Sequence, residues 1–490
     1  MATGTDEMGY LEMNLAEVIE AHDAARIALI DGDTTITFGE LRDRVGAMRA
    51  HLVASGVRPG DPVAIAAGNE PLFAVASLAI LGVGGIVMPL NPSSPPAELQ
   101  RKLVSVAPSM VLIGEIGRRL LDHGDIITSP LVDMTTIDPA DGAVPPIVGR
   151  QPGDVAFYMS TSGVSGVPKV AMLTHRNLEF VQEMSVSNEN PLLDSDVTLG
   201  VLPFAHIFGL NVVLLASMRV GACVVLQRRF DVDESLRLVR EHGVTMLTGA
   251  PPMWQRWADA DVPDDSLRSV RRAVSGAAAL PFEVFAKIRD RYGVEIEEGY
   301  GLTETSPVIT SGRGAPIRAT SVGKVMPDVE VVLVDPDGSP VDVGDQGEIV
   351  VRGEGVFVGY LDDPDTTASV LTEDGWFWTG DVGIFDDEGY LFLVDRVKDI
   401  VIVSGFNVYP SEVENVLIEH PDVRGALVVG SPHGETGEMV VAYVSGTADE
   451  TALRAHVDSQ LSRYKRPTEY HFVEELPISD NGKPRRRELR

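Results

Sequence analysis

The sequence predicts an α/β protein: a large N-terminal domain of layered α/β subdomains ending in a small β subdomain, then a small C-terminal α+β domain. Three observations carry this expectation. Short apolar runs alternate with helical patterns from about Thr37 to Ser275, as in a largely parallel sheet covered by helices. From about residue 320 the texture changes to β segments punctuated by Gly and Asp, such as Val329–Val334 and Glu348–Val351. Past Arg396 a compact unit follows, with helices at 411–419 and 450–462 and strands at 426–430 and 439–444. At 490 residues the chain exceeds one compact unit, since domains run to about 100–200 residues. The division expected is 1–396 and 397–490.

Taken in order, residues 1–13 read as a loosely held terminus. Thr37-Phe38-Gly39-Glu40 has capping-box spacing, and Leu41, Val45, Met48 and Leu52 follow at helical intervals until Gly56. Pro62–Ala66 reads as a strand. Residues 71–90 carry no charge and approach membrane-spanning length, but Gly82, Gly84 and Gly85 divide them into a core helix and a core strand. Residues 135–153 form a surface connection before the strand Val155–Tyr158. Beyond it, Val197–Leu202, Ala222–Leu226, Val244–Thr248 and Arg272–Ser275 read as strands, and Asn211–Met218 and Ser235–His242 as helices.

The formal charge of −32 argues against nucleic acid and anionic membranes as partners, because both need basic patches. The single cysteine, Cys223, excludes an internal disulfide and a cysteine-based metal cluster, and reads as a small core residue. No basic segment followed by an apolar stretch opens the chain, so a cytoplasmic protein with no integral membrane segment is expected.

Five stretches carry chemistry. Residues 160–169, Ser-Thr-Ser-Gly-Val-Ser-Gly-Val-Pro-Lys, combine the hydroxyls of Thr161, Ser162 and Ser165 with the tight backbone allowed by Gly163 and Gly166 and the charge of Lys169. Amides, hydroxyls and a cation facing one space cradle phosphate oxygens. The spacing is not that of a Walker loop. In Glu298-Gly299-Tyr300-Gly301-Leu302-Thr303-Glu304, two glycines around an aromatic let backbone approach a flat ligand. Thr303 adds a hydroxyl there and Glu304 a carboxylate for a divalent cation. Asp381 can accept both hydroxyls of a ribose, and Arg396 can hold the same sugar or its phosphate. Ser404-Gly405-Phe406 and Asn481-Gly482-Lys483-Pro484 complete the set. Read singly, each has a plainer alternative: a turn, a hairpin, a surface ion pair, a solvated lysine.

Together, and in this order, the stretches resemble the acyl- and aryl-CoA synthetases of the adenylate-forming superfamily, which includes luciferases and peptide-synthetase adenylation domains. The resemblance runs from about Thr35 to the last residue. It implies that Thr161, Ser162, Gly163, Ser165, Gly166 and Lys169 cover the β- and γ-phosphates of ATP. Gly276, Ala277, Ala278 and Glu298–Gly301 would flank adenine and line the acyl pocket. Thr303 would touch the α-phosphate, Glu304 bind Mg²⁺, and Asp381 and Arg396 hold ribose. His206 would stand beside the substrate carboxylate, a core histidine being its other reading. Lys398 would be the hinge of a mobile C-terminal domain, Ser404, Gly405 and Phe406 would meet the pantetheine of coenzyme A, and Lys483 would be the catalytic lysine. Two positions depart from the pattern: Val164 replaces a usual Thr or Ser, and Val170 a usual Gly.

The implied reaction is attack of a carboxylate on the α-phosphorus of ATP, then transfer of the acyl group from acyl-AMP to a thiol. No carboxylate follows the central Phe204 in Phe204-Ala205-His206-Ile207-Phe208-Gly209-Leu210, which disfavours an amino acid substrate. Small residues at 209, 276, 277, 278 and 301 suggest room for an alkyl chain, hence a medium- or long-chain fatty acid, with aryl or cinnamate-type acids left open. Coenzyme A is the expected acceptor, with an acyl carrier protein as the alternative. A non-catalytic acyl or nucleotide sensor is the rival from another class. The sequence leaves monomer and homodimer equally open.

Overall fold

The computed structural model describes residues 14–123, 127–137, 143–161, 169–186, 190–404, 406–434, 436–478 and 485–489. Among these the strands fall into four sheets, and two of them, stacked through helices, form the body of the large domain.

The six-stranded sheet runs Leu131–Asp133, Met110–Ile113, Pro62–Ala66, Ile86–Leu90, Val155–Thr161, Lys169–Thr174. It is parallel except for its last pair, an antiparallel hairpin in which Thr161 faces Lys169. Alternate residues of these strands point to opposite faces. Ala64, Ala66, Met88 and Leu90 meet Leu99 and Leu103 of the helix Pro96–Val106 on one side. Val63, Ile65 and Val87 meet the helices Phe38–Ala54 and Pro71–Gly82 on the other. The nine-stranded sheet divides in the same way. Leu29, Val224 and Leu226 share the central core, while Ile30, Val225, Leu247 and Ala273 pack on the outer helices Val232–His242, Pro251–Asp259 and Phe282–Tyr292. Five layers result, helices outside and between two sheets. Both faces of each sheet are covered, so the central strands read as continuous apolar runs.

The local signals behave as expected. Glu40 Oε2 accepts the Thr37 amide at 2.8 Å while Thr37 Oγ1 accepts the Glu40 amide at 3.2 Å, closing the capping box. The uncharged stretch splits into the helix Pro71–Gly82, buried from Phe73 onward, and the strand Ile86–Leu90. Among the described residues no helix is long and apolar enough to cross a membrane. The helix expected at Asn211–Met218 is instead a π-helix, Phe208–Leu215, continued by the α-helix Ala216–Val220. Apolar periodicity does not distinguish those two windings, because both bury the same side.

A four-stranded antiparallel sheet follows, Glu330–Val334, Gly347–Arg352, Phe377–Phe385 and Leu391–Arg396, and this is the small β subdomain. Its Leu333, Ile349 and Leu391 join the central core. Beyond the turn Val397–Asp399, a five-stranded sheet with the helices Pro410–Ile418 and Glu450–Gln460 encloses a separate core around Val401, Leu417, Val428, Ala442 and Val457. The mixed α/β class, the large N-terminal domain and the small C-terminal domain are as expected.

Candidate active site

The strands Arg272–Ser275 and Ile296–Tyr300 end at one edge of the nine-stranded sheet, where ligands of parallel sheets bind. Glu298 sits on the second strand with its Oε2 accepting the Leu280 amide at 3.0 Å. Burial pushes its carboxyl up to about 7, against the partial opposition of the Leu280 and Thr320 amides. The carboxylate thereby ties the segment after Ser275, with Gly276, Ala277 and Ala278, to the strand below. Ala277 holds a left-handed φ of +72°, which is uncommon for a residue with a Cβ.

Gly276 lies under the Phe208 ring, and a Cβ there would stand 2.9 Å from that ring. A Cβ on Gly301 would overlap the Pro307 carbonyl oxygen, and one on Gly209 the Leu202 and Pro203 carbonyls. At these three positions the small residue is therefore explained by a close neighbour and not by open space, a correction to the expectation of room for an alkyl chain. His206 precedes the π-helix, and its Nδ1 accepts the Phe208 amide at 3.3 Å, which orients the ring.

Two buried carboxylates each receive a tyrosine hydroxyl. Tyr300 donates to Asp381 Oδ2 at 2.8 Å, and Arg396 Nε meets Asp381 Oδ1 at 2.9 Å across the paired strands of the β subdomain. Burial, then the Asp381 charge, holds the Tyr300 phenol well above its ordinary value. Tyr360 donates to Glu304 Oε1 at 2.8 Å, and Glu304 lies beside Thr303 in the short turn Thr303–Thr305. The Lys169 ammonium sits 4.9 Å from the centroid of the same Tyr360 ring. Tyr360 was not among the residues singled out from sequence. Gly359-Tyr360 was legible only as a turn before an aromatic, and its partners lie 56 and 191 positions away in the chain.

Thr161 and Lys169 close the hairpin, with the Thr161 hydroxyl 3.5 Å from the Lys169 carbonyl. Ser162, Gly163, Val164, Ser165 and Gly166 between them lie outside the described residues. The strands Val155–Thr161 and Lys169–Thr174 on either side of this stretch pair antiparallel. Val170 needs no glycine: it is a strand residue opposite Ser160 whose carbonyl accepts the Leu361 amide at 2.9 Å.

Lys398 stands in the turn Val397–Asp399 between the two domains. Ser404 holds a φ of +51°, and Phe406, 57% exposed, lies against Tyr464 with ring centroids 4.9 Å apart. Gly405 and Lys483 lie outside the described residues. The segment just after Lys483 is anchored within the C-terminal domain: Arg486 Nη2 bonds both oxygens of Glu414, at 2.8 and 2.7 Å, and Tyr443 donates to the Leu489 carbonyl at 3.0 Å.

Among the described residues no group of three or more His, Cys, Asp or Glu is placed to hold a metal ion. One buried carboxylate beside a hydroxyl is nonetheless a donor set suited to magnesium, which takes one or two carboxylates and completes its shell with phosphate oxygens and water.

Residues 15–361 match the family model described as AMP-binding enzyme, and 412–483 match the AMP-binding enzyme C-terminal domain. The chain belongs to the AMP-binding enzyme family. Within this family it is 33% identical to 4-coumarate–CoA ligase 1 of Solanum tuberosum over 494 residues, covering 95% of this chain and 91% of the relative. It superposes on ATP-bound MatB from Rhodopseudomonas palustris with a TM-score of 0.91 at 30% identity, covering 98% of each chain; apo MatB gives 0.79 at 29% identity with the same coverage. The o-succinylbenzoate CoA synthetase of Bacillus subtilis, bound to its acyl-adenylate, gives 0.87 at 28% identity, with 98% of this chain and 99% of the other covered. The superfamily expected from the five motifs is thus the one found. ATP, Mg²⁺ and coenzyme A are the reactants and metal of its AMP-forming CoA ligases, as the motifs implied.

Proposed function

We propose that this protein activates a planar aryl acid of the 4-coumarate class as its acyl-AMP and transfers the acyl group to coenzyme A. The carrying observation is the Phe208 ring set against Gly276, 2.9 Å from where a Cβ would stand, so an aromatic face and not open space lies at that glycine. The 4-coumarate–CoA ligases among the relatives support the same choice.

In this reading Asp381 and Arg396 hold the ribose, the Gly276–Ala278 segment and Tyr300 flank adenine, and Thr161 through Lys169 cover the terminal phosphates. His206 and Thr303 face the reacting carboxylate and α-phosphate. Glu304 holds Mg²⁺, which when bound neutralises phosphate charge so that an anion can approach. The substrate carboxylate is already ionised at neutral pH, so no general base is required. What the chain supplies is position and charge: Lys169 from the hairpin and Lys483 from the C-terminal domain, placed before the reaction begins. The domains divide after Arg396. Rotation at Lys398 then exchanges Lys483 for the 404–406 segment, which guides the pantetheine thiol.

A panel of hydroxycinnamates, benzoates and fatty acids, scored by pyrophosphate release, tests the substrate. Hydroxycinnamates should give the highest kcat/KM, and a clear preference for medium- or long-chain fatty acids would overturn the aryl assignment. The same acids offered with coenzyme A or with a phosphopantetheinylated carrier protein test the acceptor.

A further inference from the structure

The segment 357–361 is a strut between two parts of the site that are far apart in sequence. Its backbone lies along the strand Lys169–Thr174: the Met172 amide donates to the Gly359 carbonyl at 3.0 Å and the Leu361 amide to the Val170 carbonyl at 2.9 Å. At its other end the Phe357 amide donates to the Glu304 carbonyl at 2.8 Å. Tyr360 occupies the middle, 8% exposed, with its amide on Thr367 Oγ1 at 2.9 Å and its ring packed edge-on to Phe357. From that fixed position the hydroxyl reaches Glu304 Oε1 and the ring face lies under the Lys169 ammonium. One side chain thus holds the carboxylate by its edge and the cation by its face.

We propose that Tyr360 is a positioning residue that sets the Glu304 carboxylate for the divalent cation and the Lys169 ammonium for the nucleotide phosphates. The inference rests on the reading that Glu304 holds the metal. The hydroxyl takes one carboxylate oxygen and fixes the plane of the group, so Oε2 meets the cation without first losing rotational freedom. A phenol suits this task because its hydroxyl donates to the carboxylate at 2.8 Å while its ring face stays free for the cation. The ring attracts Lys169 through its quadrupole without neutralising it, so the full charge stays available to phosphate.

The two contacts are separable by substitution. Tyr360→Phe keeps the ring and removes the hydroxyl; Tyr360→Leu removes both. Binding is read without turnover, using Mn²⁺ with a non-hydrolysable ATP analogue by electron paramagnetic resonance, and the analogue alone in EDTA by calorimetry. Tyr360→Phe should weaken Mn²⁺ binding by about 10- to 100-fold, the usual cost of removing a partner of a metal ligand. The metal-free nucleotide affinity should stay unchanged. Tyr360→Leu should in addition weaken the metal-free nucleotide by about three- to tenfold. Glu304→Gln is the reference. In the Glu304→Gln background Tyr360→Phe should cost nothing further in Mn²⁺ affinity, because the two act through one bond. Wild-type Mn²⁺ affinity in Tyr360→Phe while Glu304→Gln loses it would overturn the role of Tyr360 alone. Wild-type Mn²⁺ affinity in Glu304→Gln would overturn the metal assignment itself. Equal loss of metal-bound and metal-free nucleotide in Tyr360→Phe would mean that the residue only supports the fold.

Discussion

The two halves of the proposed site are built in opposite ways. In the large domain the charged groups are already held: Asp381 by Tyr300 and Arg396, Glu304 by Tyr360, with Lys169 over the same ring. In the C-terminal domain Ile402 and Phe406 are 52% and 57% exposed, and the charged anchoring is between Arg486 and Glu414. A nucleotide site gains from groups fixed before binding, since ordering them later would subtract from affinity. A unit that must serve two reaction steps gains instead from being rigid inside and loosely joined outside. The separate core around Val428 and the short turn at Val397–Asp399 are consistent with the proposed rotation.

Four substitutions test this contrast. The largest effect should come from Arg486→Ala, which leaves the buried Glu414 carboxylate with the Val428 amide but without its charged partner, at a cost of about 3–5 kcal/mol. Chemical denaturation should show early unfolding of the C-terminal domain while ATP-analogue binding to the large domain persists. Loss of both together would mean that the two cores are not independent. Next, Lys483→Ala should reduce acyl-AMP formation by about 10²–10³ or more, by analogy with removal of one charge-stabilising donor. Thioester formation from pre-made acyl-AMP should survive in that variant, and near-normal pyrophosphate release would remove the lysine from the mechanism. Tyr300→Phe deletes one hydrogen bond to a charged group, worth about 1.5–3 kcal/mol. The KM for ATP should rise by about ten- to a hundredfold with the acid KM unchanged. A shift in the acid KM alone would place Tyr300 elsewhere in the site.

The fourth test concerns pH. His175 is fully buried, its Nδ1 accepts the Leu15 amide at 3.2 Å, and burial pulls its pKa from 6.5 down to about 4. Between those values the unfolded chain binds a proton that the native chain refuses. Stability of the large domain therefore falls as pH falls through this window, by about 1.4 kcal/mol per pH unit. His175→Asn should flatten that slope in denaturation midpoints measured from pH 7 to 4.5. An unchanged slope would assign the acid sensitivity to other groups.

How far the sequence reached differs between the fold and the site. Thr37 and Glu40 announced a helix start because a capping box is a local hydrogen-bond pattern, and Pro62–Ala66 announced a strand because a core strand is a short continuous apolar run. The π-helix at Phe208–Leu215 was invisible, since its apolar side repeats as an α-helix would over so few residues. Asp381 and Arg396 were read together from the sequence and do pair, at 2.9 Å, but Tyr300 as the donor to Asp381 was not legible. Glycines 209, 276 and 301 misled: a missing Cβ says only that something is close, and here the neighbours are carbonyls and the Phe208 ring.

By itself the sequence determined the layered α/β class, the order of the elements and the family, because these follow from local patterning and from motifs that keep their order. Only the tertiary structure decided which groups touch. Tyr360 meets both Glu304 and Lys169, and Phe208 fills the space above Gly276. Such contacts join residues tens to hundreds of positions apart. They exist only once the sheets have stacked and the segment 357–361 has been drawn against the hairpin.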